Sequence, residues 1–292
     1  MLIESLIGGG AVAGALGGYA AGYAPLMKPR VSRYRIRSDR LEFFRHINLT
    51  GLRVAVLADL HACRFWMTPA RIRAIVEQTN ALKPDLIVLL GDYVSGMEQL
   101  GRWTELPMAE WSQALSGLSA PLGTHAVLGN HDCWRGGADV RRHLEDAGIA
   151  VLHNMAVQLR TEAGARFWLA GLGSQRAQKL DRKRYHGEDD LDATLAQVTG
   201  DTEPVVLLAH EPDLFPDIPA RIDVMLSGHT HGGQVRLPFL GPPFVPSKYG
   251  RRYAYGQFTE KSRHLIVSGG LGCSGLPIRF GMPPEIVVVE IG

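Results

Sequence analysis

Five apolar runs in this chain each stop at an aspartate, asparagine or histidine, and that repeated ending constrains the fold more than any other feature of its 292 residues. Residues 54–57 lead into Ala58-Asp59-Leu60-His61, 86–90 into Gly91-Asp92, and 125–128 into Gly129-Asn130-His131-Asp132. Farther on, 205–209 lead into His210, and 224–226 into Ser227-Gly228-His229-Thr230-His231. Runs that are apolar at nearly every position fit strands covered on both faces. Helical patterns separate the early runs. Thr68-Pro69 reads as a cap followed by a first-turn proline, opening a helix over 69–82, and further helices are expected near 107–118 and 138–147. Strands are also expected at 167–172, 265–267 and 286–289. The order is β-α-β-α-β and then strand-rich. In open α/β sheets, ligands gather beyond the carboxyl ends of the strands. One Asp or Asn after a strand is ordinary turn chemistry, but five polar endings in succession point to one shared site.

The side chains collected there are Asp59, His61, Asp92, Asn130, His210, His229 and His231. A single metal ion takes about four to six ligands, so this set suits two ions sharing a carboxylate. Residues two apart on extended backbone point the same way, so Asp59/His61 and His229/His231 can diverge toward adjacent ions as the chain turns. Imidazole, carboxylate and amide donors favour two divalent cations of the Mn²⁺ type, with Fe, Zn and Mg compatible, and exclude a thiolate site. Cys63, Cys133 and Cys273 are too few and too scattered for a disulfide framework, and fit a reducing compartment.

In this order, Asp59-x-His61, Gly91-Asp92, Gly129-Asn130-His131-Asp132, His210 and Gly228-His229-Thr230-His231 resemble the five motifs of the calcineurin-like metallophosphoesterase superfamily, over residues 50–292. AHEPD (209–213), SGHTHGGQV (227–235) and IRFGMPPEI (278–286) look like its bacterial, membrane-associated branch. That branch includes phosphodiesterases and hydrolases that split UDP-2,3-diacylglucosamine, in the lipid A pathway, to UMP and a lipid phosphate. The resemblance implies an α/β fold, a four-layer αββα sandwich of two mixed β-sheets flanked by helices. It implies one metal on Asp59, His61, Asp92 and His231 and another on Asp92, Asn130, His210 and His229, with a metal-bridging hydroxide attacking the phosphoester. His131 is then the catalytic residue, stabilising the phosphoryl group or protonating the leaving oxygen, and Asp132 orders its loop. One departure stands out: many family members carry a second aspartate three residues after the one matching Asp92, and here Ser95 takes that place. What orients His131 is therefore open. The alternatives are a broad-specificity phosphodiesterase or phosphatase of the cell envelope, and a non-catalytic binding scaffold on the same fold. A decayed site would have lost ligands, and every motif ligand is present.

Charge and hydropathy complete the reading. Residues 1–40 hold six basic residues against two acids, although the whole chain is only +2. The body is not basic, so no nucleic-acid partner is expected. Residues 5–27 carry no charge and repeat Gly10, Gly14, Gly18 and Gly22, a small-residue helix face. This predicts a membrane-associated anchor helix over 1–27 with helix-mediated self-association, a basic juxtamembrane linker over 28–49 and the phosphoesterase domain over 50–292. The basic flank places the chain at the bacterial inner membrane with its catalytic domain on the cytoplasmic face; a cleaved signal and export is the alternative. Expected substrate contacts are Arg64, Trp134, Lys248, Arg251 and Arg252. Phe65, Trp66 and Met67 join Trp134 in an apolar lip, and the expected substrate is a phosphorylated small molecule or lipid.

Overall fold

The computed structural model describes residues 14–37, 51–181 and 184–292, without the Glu98 side chain. The apolar runs become the centres of two six-stranded sheets. The first is ordered β1-β14-β2-β3-β4-β5, from β1 (Arg30–Ile36), β14 (Glu285–Ile291), β2 (Leu52–Leu57), β3 (Leu86–Leu89), β4 (Thr124–Ala126) and β5 (Ala150–Val151). The second is ordered β12-β13-β11-β10-β7-β6, from β12 (Gly256–Glu260), β13 (Arg263–Val267), β11 (Val224–Ser227), β10 (Val205–Leu208), β7 (Arg166–Gly171) and β6 (Met155–Arg160). Both are mixed: β2 through β5 run parallel while β14 opposes β2, and β7, β10, β11 and β13 run parallel between antiparallel edges. A short hairpin, β8 (Gln178–Lys179) with β9 (Tyr185–His186), stands apart.

Strand alternation makes the layers. Val54, Val56, Val88 and Val287 of the first sheet pack against Leu169, Val206, Leu208 and Leu226 of the second in one buried core. Their neighbours Leu57, Leu89 and Ile286 turn outward onto α1 (Pro69–Asn80), α2 (Met108–Leu115) and α4 (Gly137–Asp146). Leu207, Met225 and Leu265 turn the other way, onto Phe215 and Ile218, with Leu191 and Leu195 of α5 (Leu191–Leu195) beside them. Each fully buried aliphatic side chain contributes about 1.5–3 kcal/mol, so runs apolar at every position are what a four-layer αββα sandwich requires. α1 starts as predicted, with Thr68 Oγ1 accepting from the Arg71 N–H at 3.3 Å, and stops two residues early.

Two expectations change at the amino-terminal side. Residues 30–36, assigned to the basic linker, form edge strand β1, paired in parallel with β14 from Arg30↔Glu285 to Ile36↔Ile291. The inner-membrane placement is corrected: among the described residues no helix is long and apolar enough to cross a membrane. After a short helical turn at 14–18, the chain widens into a π-helix (Tyr19–Tyr23) and tightens into a 3₁₀ turn (Ala24–Leu26) around Pro25. That turn lies on the domain. The Arg71 guanidinium donates to the carbonyls of Pro25, Leu26 and Met27, the Arg279 N–H donates to Ala20 O, and Tyr19 meets Phe280 edge-on. The remainder of the proposed anchor, residues 1–13, lies outside the described residues.

Candidate metal centre

Parallel strands with a common polarity bring their carboxyl ends together. β2 delivers Asp59 and His61, β3 Asp92, α3 (Asn130–Trp134) after β4 delivers Asn130 and His131, β10 His210 and β11 His229 and His231. All but His131 are buried. Asp59, His61 and His231 converge as one group with ligand atoms within 4.8 Å of one another, and Asp92, His210 and His229 as a second. Asn130 Oδ1 joins the second group, 3.2 Å from His210 Nε2.

The turns that aim these side chains are tight. Asp59, His61, Asp92, His229 and His231 all sit at φ between +46 and +68, a left-handed backbone that costs a non-glycine residue about 1 kcal/mol or more. Gly91 and Gly129 let two of the turns touch: a Cβ on Gly91 would strike the Gly129 backbone, and one on Gly129 would strike the Asp92 carboxylate. Asp132 fastens them together. Its carboxylate accepts from the N–H groups of Asp92, Tyr93, Val94 and Gly129 at 2.7–3.2 Å, the loop-ordering role expected of it.

Hydrogen bonds to the far side of each ring set the tautomers. His210 Nδ1 donates to Leu90 O at 2.6 Å and His229 Nε2 to Pro246 O at 3.0 Å. The remaining ring nitrogens then face each other at 3.2 Å, with Asp92 Oδ2 3.3 Å from His210 Nε2. Four acceptors converge on a point that calls for a cation. The other group repeats the pattern. His61 Nδ1 donates to Val94 O at 3.0 Å, leaving Nε2 3.1 Å from His231 Nε2 and 3.6 Å from Asp92 Oδ2, while Asp59 Oδ1 is 3.7 Å from His231. Asp92 faces both groups, as a bridging carboxylate must. The donor set therefore fits two divalent ions.

Electrostatics agree. Burial opposes ionisation of Asp92, yet the charges of His210 and His131 outweigh it and hold the carboxyl well below its usual range. Burial likewise disfavours the His210 cation, but Asp92 raises it well above an ordinary histidine. Burial and the neighbouring cations push His229 and His231 well down, and burial takes His61 to about 3, so these rings stay neutral and able to ligate. Burial, aided by Asp92, raises Asp59 to about 7.

His131 hangs over the groups, edge-on to His61 at 5.2 Å between ring centres, with its backbone N–H on Asp92 Oδ1 at 2.9 Å. The Ser95 Oγ accepts from Met97 N. The hydroxyl near His131 Nε2 is Ser274 Oγ, at 3.4 Å. Gln234 holds that serine: its Oε1 accepts from Ser274 N and its Nε2 donates to the carbonyls of Ser274, Leu276 and Ile278.

A pocket of about 290 Å³ opens over the groups. Of the expected substrate contacts, Trp134 lines it and Arg64, Lys248, Arg251 and Arg252 do not. Arg64 is exposed, next to a bridge between Cys63 and Glu105. Lys248 points to Asp217, Arg251 caps Leu240 O and Arg252 pairs with Glu260, each drawn outward by a nearby acceptor. The apolar lip is also corrected: Met67 is buried in the core, and Phe65 packs on Trp66 and Trp103. The lining residues that sequence reasoning missed include Arg176, Tyr185, Gln234 and Ser274. Gln234 stands directly after His-Gly-Gly, which was a usable signal; Arg176 has none in its own segment.

The geometry agrees with the kinship. The family model for calcineurin-like phosphoesterases matches residues 52–233. The metallophosphoesterase YkuE of Bacillus subtilis is 32% identical over 97% of this chain and 94% of its own length. Phosphodiesterase YaeI of Escherichia coli is 35% identical over 88% of each. A metallophosphoesterase of Aquifex aeolicus is 30% identical over 90% of this chain and 91% of its own. This chain belongs to the calcineurin-like phosphoesterase family, as a dinuclear metal-dependent phosphohydrolase.

Proposed function

We propose that the chain hydrolyses phosphodiesters at the pocket above Asp92, with Mn²⁺ the working metal. The carrying observation is the convergence of acceptors on two points bridged by Asp92; the similarity to a phosphodiesterase supports the diester. Asp59, His61, Asp92 and His231 would hold one ion, and Asp92, Asn130, His210 and His229 the other. Two such ions supply Lewis acidity toward phosphate oxygens and acidify an attacking water. The protein's own side chains do the rest. His131 delivers a proton to the leaving oxygen from its place over the groups. Gln234 and Ser274 hold that imidazole in position, in place of the carboxylate that Ser95 lacks.

The test is hydrolysis of bis(p-nitrophenyl) phosphate. Activity is expected to vanish after chelation and to return with Mn²⁺; activity that survives complete chelation refutes the reading. With an alkyl phosphodiester, whose leaving oxygen needs a proton, Gln234→Ala is expected to retain its metal and lose about 10- to 100-fold in kcat, because a misplaced catalytic group is costly. An unchanged kcat would remove Gln234 from the positioning chain.

UDP-2,3-diacylglucosamine is a narrower expectation within the same chemistry. No spanning helix lies among the described residues and the expected lip is not formed; the exposed Phe244 beside Pro246 at the pocket is what favours an apolar substituent. UMP release from that lipid in detergent, measured beside the aryl diester, discriminates the two.

A further inference from the structure

Arg176 is the only lysine or arginine among the described residues that line the pocket. Its backbone is pinned from several sides. Glu211, buried directly after His210, accepts from Ser174 Oγ at 2.6 Å and from Gln175 N at 3.0 Å, and Ser174 Oγ in turn accepts from Arg176 N. Trp134 Nε1 donates to Arg176 O at 2.9 Å. The guanidinium lies over the Tyr185 ring at 5.2 Å, and its nearest carboxylate oxygen, Asp213 Oδ2, is 3.6 Å away, beyond hydrogen-bond length. That carboxylate is already engaged by the Ser247 hydroxyl and the Lys248 N–H. Apart from this long ion pair, the guanidinium makes no hydrogen bond to protein among the described residues, which leaves donors of a backbone-anchored arginine available at the pocket. The charge reaches the metal-side ring of His229, whose cation it disfavours.

We infer that Arg176 is an anion subsite beside the metal centre, taking a phosphate or carboxylate on the retained part of the substrate. The inference rests on the phosphodiesterase reading and narrows it to diesters that carry a second anionic group. A planar guanidinium fits either oxyanion by paired hydrogen bonds. Nothing covalent is asked of Arg176: water's oxygen bonds to the scissile phosphorus and gives up its proton to solvent, the bond to the leaving oxygen breaks with its electron pair going to that oxygen, and the second anion stays in its cradle.

The experiment uses p-nitrophenyl phosphodiesters that release the same leaving group and differ only in the retained ester: methyl, 2-carboxyethyl, 2-phosphonooxyethyl and 2-aminoethyl. Wild type with Mn²⁺ is expected to favour an anionic ester over the methyl ester in kcat/KM by about tenfold or more, mostly through KM. The carboxylate and phosphate arms say which anion the cradle takes. In Arg176→Gln the preference is expected to collapse, and in Arg176→Glu to move to the 2-aminoethyl ester, a reversal that a merely structural arginine would not produce. Lys248→Gln, removing an exposed cation outside the pocket, should keep the wild-type preference. If wild type hydrolyses the methyl ester and shows no anionic preference, or if Arg176→Gln keeps it, the subsite is refuted and the phosphodiesterase reading stands. If no diester is hydrolysed, both fall together.

Discussion

Asp92→Asn is expected to lower kcat/KM by about 10²–10³-fold or more and to take the bound metal below two ions per chain. Among the described residues, Asp92 is the carboxylate that faces both acceptor groups, 3.3 Å from His210 Nε2 and 3.6 Å from His61 Nε2. The substitution removes a buried charge from among groups arranged to need it, a loss of about 3–5 kcal/mol. The fold should persist, because an amide oxygen can still accept from His131 N and Asp132 still ties the loops. Elemental analysis and a circular dichroism melt separate these effects. Wild-type turnover with an unchanged metal content would remove Asp92 from the bridging position.

The second large effect is expected at His131. His131→Ala should keep both metals, since the ring stands outside both ligand groups. It should lower kcat by about 10²–10⁴-fold, the usual worth of a placed general acid. The loss should grow as the leaving group becomes more basic: small for a p-nitrophenyl ester, large for an alkyl ester, which cannot depart without a proton. An equal loss across leaving groups would assign His131 to phosphoryl stabilisation instead, and an emptied metal site would make it a ligand.

The central strands and the candidate ligands could be read from the sequence because two local signals coincide there. An apolar run says where a doubly covered strand lies, and Asp, Asn or His at its end says what reaches the crevice. Strand β1 gave no such signal: Arg30, Arg33 and Arg35 make it look like a charged linker, and only Ile36 is fully buried. Its strand character comes from pairing with residues 285–291. Arg176 was hidden for a related reason, because carboxylates more than thirty residues away hold its segment and fill its surroundings. The basic residues of 248–252 misled because charge says nothing about direction. Their partners Asp217, Leu240 and Glu260 all lie outside the pocket. Nor could the sequence show that five candidate ligands sit in left-handed turns, since none of them is glycine.

The place of β14 bears on how the protein is made. It lies between β1 and β2, so the first sheet cannot be completed until residues 285–291 have left the ribosome. Until then the nascent chain carries β2, Leu52–Leu57, with one edge unpaired and almost every residue apolar. An open apolar edge invites pairing with other chains, and contacts so far apart in sequence form late. Production of this protein is therefore most exposed to aggregation while most of the chain already exists, and slower synthesis or a chaperone that covers strand edges should help most in that interval.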